Sequence, residues 1–179
     1  MTTTNFRQYN EEADALDFPY DYNKTETGLL HTVANRNGQV DLNLLRRIAL
    51  WKLDRVLNVS SETIKRLQAL ATDDNLQINS TETRSLIGQL MECEGIGLPM
   101  ASTILKFLRP DVFPIIDVRA YRTLYGKKPH FSQSKSPRNI DCYLKYVADI
   151  RRISVKLNRP LCDIDEQLYE FDKKYNGKI

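Results

Sequence analysis

Apolar side chains recur at helical spacing along most of the chain, and no long stretch alternates between apolar and polar residues as a strand would. Around one pair of glycines the helical spacing occurs twice in succession. The first set precedes the glycines and the second follows them: Leu86, Ile87, Leu90 and Met91, then Met100, Ala101, Ile104, Leu105 and Leu108. The pattern predicts an all-α fold of eight or nine helices, with two of them joined by a tight turn within residues 85–108.

A further helix is predicted for residues 42–57, with Asp41 as its N-cap. The apolar side of this helix includes Trp51 and also two cations, Lys52 and Arg55. A buried cation without a partner costs several kcal/mol. The two side chains therefore either extend their charged ends to water along a packed stem or face an anion in a cleft.

Composition indicates one globular domain that spans residues 1–179. Apolar residues make up 41% and charged residues 27%, and a net charge of +3 permits nucleic-acid binding without requiring it. The three cysteines, Cys93, Cys142 and Cys162, are too widely spaced for a zinc site and fit a reducing compartment. No run of residues is long and apolar enough to cross a membrane, so we expect a cytoplasmic protein with no membrane partner. Residues 1–12 are polar and are expected to be flexible.

The turn between the two paired helices has the sequence Glu94-Gly95-Ile96-Gly97. Glycines can adopt positive φ and leave backbone N–H groups uncovered. Those N–H groups and the positive end of the following helix would attract an anion, and a nucleic-acid backbone is an elongated anion that fits such a site. Glycines between helices are also ordinary turn residues, so the turn alone is weak evidence.

Residues 94–101 resemble the helix-hairpin-helix motif of the base-excision DNA glycosylase superfamily, the HhH-GPD type. Downstream, Pro-Ile-Ile-Asp-Val-Arg-Ala-Tyr-Arg at 114–122 is similar to the segment in which that family places its essential aspartate. The interval from Gly97 to Asp117 matches the family's spacing, and the resemblance covers about residues 85–126. It implies a compact multi-helix domain of DNA-glycosylase type. Such a protein would bind double-stranded DNA and hydrolyse the N-glycosidic bond of a modified or mismatched base.

The resemblance also implies roles for individual residues. An aspartate at a helix start is a normal N-cap, and this is compatible with a catalytic role because the family's aspartate stands at the same place. A monovalent cation held by backbone carbonyls near Cys93 and Gly95 would strengthen the hold on phosphate, and no other cofactor is required. The residues concerned are Asp117 for catalysis, Gly95, Ile96, Gly97, Arg119 and Arg122 for DNA binding, and Trp51 and Arg55 for the base pocket.

Several positions depart from the family pattern and indicate a small, divergent member. Pro99 stands where bifunctional members carry their Schiff-base lysine, which favours a monofunctional enzyme. Lys52 is a candidate replacement, because an amine on an apolar face is favoured in its neutral, nucleophilic form. Val118-Arg119 replaces the family's Thr-His, the glycine usual before that segment is missing, and the four cysteines of an iron–sulfur cluster are absent.

Two other functions remain open from the sequence. A non-catalytic helix-hairpin-helix module would bind DNA and use Asp117 only as a cap. A helical interaction protein would not bind duplex even at low salt, where phosphate contacts are strongest. The protein is expected to act as a monomer and, if its source is prokaryotic, to be associated with the nucleoid.

Overall fold

The computed structural model describes residues 6–20, 24–34, 40–52, 59–93, 95–131 and 136–179, with the backbone alone for 24–26 and 34. These ranges contain eight α-helices and no strand, which confirms the predicted all-α class. The helices are α1 (Lys24–Ala34), α2 (Leu42–Lys52), α3 (Ser61–Thr72), α4 (Thr81–Glu92), α5 (Leu98–Leu108), α6 (Val118–Tyr125), α7 (Pro137–Leu157) and α8 (Leu161–Tyr175).

Short polar side chains start several of these helices. The carboxylate of Asp41 accepts a hydrogen bond of 2.8 Å from the Leu44 N–H, which confirms Asp41 as the N-cap of α2. Ser60 and Ser80 cap α3 and α4 in the same way, each at 3.1 Å from a backbone N–H three residues ahead. Each cap satisfies a backbone donor that has no partner inside the helix.

Helix α5 lies at the centre of the molecule. Every residue from Met100 to Leu108 is buried, and α5 packs against α1, α2, α3 and α4. A helix that is apolar on all sides is stable only when it is covered on all sides. The predicted pair of helices on either side of the glycines is confirmed as α4 and α5, with α5 as the core of the fold.

Helices α6 and α8 form a second packed pair, and the segment at residues 6–20 lies against it. The Tyr9 N–H donates to the Thr123 carbonyl at 2.7 Å, and the Tyr9 side chain is 6% exposed. The Arg7 guanidinium stacks over the Phe171 and Tyr175 rings at 4.5 and 4.2 Å. Aromatic and cation–π contacts thus pack Arg7 and Tyr9 against α8. The flexibility expected for residues 1–12 stays a prediction, and residues 1–5 lie outside the described residues.

Helix α7 carries two buried tyrosines that hold the chain ahead of α6. The Tyr143 hydroxyl donates to the Pro114 carbonyl at 3.0 Å, and the Tyr146 hydroxyl donates to the Ile115 carbonyl at 2.9 Å. These bonds fix an extended segment whose carbonyls would otherwise be buried without donors. Among the helices described, none is both long and apolar enough to cross a bilayer.

Candidate functional site

A cavity of about 320 Å³ opens between α2, α5, α6 and α8. The last turn of α2, the first turn of α5 and the first turn of α6 meet here, and α8 forms the opposite wall. Segments that are far apart in the chain therefore contribute to one site. The lining residues are Tyr20, Trp51, Lys52, Pro99, Ile115, Asp117, Val118, Arg119, Asp165, Glu166, Tyr169 and Ile179.

Asp117 is the N-cap of α6 and lines the cavity. Its Oδ1 accepts a 2.7 Å hydrogen bond from the Ala120 N–H, so the carboxylate is held by the helix it begins. Burial raises the pKa of Asp117, while the positive charge of Lys52 and the N–H groups of Ala120 and Arg119 oppose that rise. The site thus holds a carboxylate at a fixed position with a cation close enough to affect its ionisation.

Two more predicted residues lie in the same cavity wall. Trp51 is only 7% exposed, its ring meets Phe107 edge-on at a centroid distance of 5.0 Å, and its indole N–H donates to the Thr27 hydroxyl at 3.0 Å. Trp51 is thus largely a core residue that also lines the cavity. Lys52 is half-buried and reaches the cavity from the end of α2. The predicted pocket residue Arg55 lies outside the described residues.

The two arginines assigned to DNA binding, Arg119 and Arg122, differ in how far they are buried. Arg122 is 0% exposed, and its Nε and Nη2 donate to the Asp172 carboxylate at 2.5 and 2.6 Å. The structure thus places Arg122 between α6 and α8, paired with Asp172, and this position does not support the predicted contact with DNA. Arg119 lines the cavity with a side chain that is 17% exposed, and it also donates to Asp172 at 2.8 Å.

In the turn between α4 and α5, one of the two glycines has the positive φ that the sequence suggests. Gly95 has φ of +80°, whereas Gly97 has φ of −86° and is the N-cap of α5, so only the first glycine needs the left-handed region. The Ile96 side chain is 3% exposed and its N–H donates to the Cys93 carbonyl at 3.1 Å. The Ile96 amide is therefore used within the turn, and the assignment of Ile96 to DNA binding stays a prediction. Glu94 lies outside the described residues.

Gly97 has open space where a side chain would be. A Cβ built on it would meet nothing closer than the Pro99 Cδ at 3.9 Å, which is ordinary van der Waals contact. The fold itself therefore does not require glycine at 97. The predicted monovalent cation near Cys93 and Gly95 stays a prediction, and the Cys93 carbonyl it would use already accepts the Ile96 N–H.

A buried ionic cluster behind the cavity was missed by the sequence analysis. Lys106 is 1% exposed, and its ammonium donates to both carboxylate oxygens of Asp165 at 3.0 Å and to Glu166 at 2.8 Å. Burial raises the pKa of Asp165 to about 7, against the opposing charge of Lys106. The sequence does contain a signal for this cluster. Lys106 is the single cation inside the apolar repeat of α5, and a buried cation needs a buried anion as its partner.

The cavity combines a fixed carboxylate, an amine and aromatic walls. A carboxylate can stabilise positive charge that develops on a bound molecule, an unprotonated amine can attack a carbonyl carbon, and aromatic rings can stack on a planar group. Comparisons with protein-family models, with curated proteins and with solved structures find no match for this chain. The residues of the cavity are therefore the basis for assigning a function.

Proposed function

We propose that this protein is a DNA glycosylase that hydrolyses the N-glycosidic bond of a modified or mismatched base in double-stranded DNA, without a required cofactor. One observation carries the proposal: Asp117 and Lys52, which the sequence nominates separately, line the same cavity together with Trp51. A carboxylate in a cleft can stabilise the positive charge that develops at the anomeric carbon of a sugar, and an amine beside it could add a covalent step.

Asp117 would act on the sugar and not on the base. Loss of the base leaves positive charge on the deoxyribose, and an anion held against that charge lowers the barrier. The target nucleotide must first leave the duplex and enter the cavity, and the open space in front of Gly97 would admit the phosphates beside it. Arg119, which lines the cavity beside Asp117, would help to hold a phosphate.

The proposal is tested by single-turnover base release. Duplexes that carry uracil, alkylated, oxidised or mismatched bases are incubated with an excess of protein and then treated with alkali to break abasic sites. Release from at least one duplex supports a glycosylase and identifies its substrate class. Binding to every duplex with no release from any would favour the non-catalytic module, and no binding even at low salt would favour an interaction protein.

Lys52→Ala distinguishes hydrolysis of the glycosidic bond from strand cleavage through a Schiff base on Lys52. If Lys52 forms a Schiff base with the sugar, wild-type protein should break the strand before alkali, and borohydride should trap it on DNA. Both signals should fall to background in Lys52→Ala, while release of the base persists. Lys65→Ala, which removes an exposed lysine of α3, is the matched control and should change neither signal. Trapping that survives in Lys52→Ala would assign the amine elsewhere.

Gly97→Ala tests whether the glycine turn approaches DNA. The added methyl group fits the folded chain, so the free energy of unfolding should fall by no more than about 1 kcal/mol, the cost of an alanine at the N-cap of α5. A phosphate in van der Waals contact with Gly97 would be displaced, so affinity for duplex should fall about tenfold or more. Gly28→Ala in α1, where a Cβ meets nothing within 4 Å, is the control. Equal affinities of the two variants would exclude this binding mode.

The proposal also includes the cellular location and the oligomeric state of the protein. We place it in the cytoplasm, at the nucleoid in a prokaryote, where it would act as a monomer on one lesion at a time. These assignments rest on the proposed DNA substrate.

A further inference from the structure

Glu166 presents a partly used carboxylate to the cavity. Its side chain is 19% exposed and lines the wall formed by α8. Oε1 accepts a hydrogen bond from the Lys106 ammonium at 2.8 Å. Within the described part of the chain, Oε2 has no hydrogen-bond partner. One oxygen is thus anchored and the other is available to a bound molecule.

The anchor is rigid because Lys106 is fully engaged. Besides Glu166, its ammonium donates to the Cys162 carbonyl at 2.8 Å and to Asp165 at 3.0 Å. Asp165 Oδ2 also accepts the Ile115 N–H at 3.0 Å, so both oxygens of that carboxylate have donors. Asp165 is therefore occupied by the fold, and Glu166 is the acceptor that this wall can offer to a ligand.

Two tyrosine rings stand beside this acceptor. Tyr169 lies three residues after Glu166 on α8, and its ring meets Tyr20 edge-on, with centroids 6.2 Å apart and planes at 81°. The Arg119 guanidinium and the Lys173 ammonium lie over the Tyr169 ring, 5.7 and 5.5 Å from its centroid. A planar heterocycle that enters the cavity would contact aromatic side chains of the wall that also carries Glu166.

We propose that the cavity selects a guanine-type base, whose Watson–Crick edge presents adjacent N–H donors to the Glu166 carboxylate. The inference rests on the proposed glycosylase function and assigns its substrate class. An ionised carboxylate only accepts hydrogen bonds. A guanine-type edge offers the ring N1–H next to an exocyclic amino group. Adenine instead offers a lone pair at N1, and uracil offers one N–H flanked by two carbonyl oxygens, so both bring acceptors toward a carboxylate.

Binding of nucleosides tests this inference without any catalytic step. Trp51 is the only tryptophan of the chain and lines the cavity, so its fluorescence reports occupancy. Guanosine should bind about 10- to 100-fold more tightly than 1-methylguanosine, which lacks the N1–H donor, and than adenosine. Equal affinities of the wild-type protein for these nucleosides, or no binding of any of them, would overturn the inference.

Glu166→Gln identifies the residue responsible. The amide keeps the size of the side chain and leaves Asp165 to pair with Lys106, so the preference for guanosine should shrink to less than about threefold. Glu170→Gln removes a carboxylate of α8 that pairs with Lys173 outside the cavity, and it should keep the full preference. A preference that persists in Glu166→Gln would overturn the assignment, and the nucleoside series on wild-type protein decides the matter if the variant does not fold.

The two proposals fail in different ways. Base release from uracil-containing duplexes alone would leave the glycosylase proposal intact and refute the guanine-type preference. Guanosine selectivity that depends on Glu166, without release from any duplex, would support base recognition and refute the catalytic proposal.

Discussion

Asp117→Asn is expected to slow single-turnover base release by roughly 10²- to 10³-fold, the loss typical when one preorganised electrostatic group is removed from an active site. The variant should fold as well as the wild type, because asparagine and aspartate are equally good N-caps and the amide oxygen can still accept the Ala120 N–H. Duplex affinity should also be retained. Activity and stability are therefore separable at this position.

The matched control is Asp41→Asn, which makes the same change at the N-cap of α2, outside the cavity. It should leave the rate of base release unchanged. If the two variants have the same rate, Asp117 is only a cap and the non-catalytic module is the better assignment. Circular dichroism at the helical bands would confirm that neither variant has lost structure.

The rate of base release should also depend on pH, because burial affects the ionisation of Asp117. Burial raises the pKa of Asp117 above its ordinary value, so the carboxylate takes up its proton at a higher pH than an exposed aspartate does. Under the proposed function it is the ionised form that stabilises the charged sugar, so base release should decline as the pH falls through that raised pKa. In Asp117→Asn the residual rate should show no such decline.

Asp172→Ala is expected to cost about 3–5 kcal/mol of folding free energy, the largest stability effect that we foresee. Asp172 and Arg122 are both 0% exposed, and removing the carboxylate leaves the guanidinium buried without its anion. Asp172 also accepts hydrogen bonds from Arg119, Thr123 and Asn176. Urea denaturation should show the loss as a lower midpoint, and the melting temperature should fall by on the order of 10 °C.

Lys173→Ala removes the neighbouring charge on the same helix and is the control. Its ion pair with Glu170 lies at the surface, where such pairs contribute about 0–1 kcal/mol. Combining Asp172→Leu with Arg122→Met should recover only part of the lost stability. Apolar side chains can fill the space of the buried ion pair, but Arg119, Thr123 and Asn176 still lose their acceptor. A loss below 1 kcal/mol for Asp172→Ala would mean that water reaches the pair in solution.

The helical framework and half of the site were predictable from local pattern. Periodicity locates α4 and α5 on either side of the glycines. Asp117 is nominated by the resemblance to the glycosylase family, whose aspartate lies at a similar interval after the glycines. The partners of buried charges were not predictable in this way. Arg122 looks like a surface cation until Asp172, on a helix far along the chain, is packed against it. Glu166 is found only when Lys106 is seen to be buried behind the cavity.

The contact between Tyr20 and Tyr169 joins a segment that is translated early to a helix that is translated late. The ribosome delivers Tyr20 early and α8 late, so a nascent chain lacks the wall that carries Glu166 and the carboxylate that neutralises Arg122. Until α8 emerges, the apolar surface of α6 is uncovered and open to chaperones. The cavity is therefore completed only after translation has passed α8.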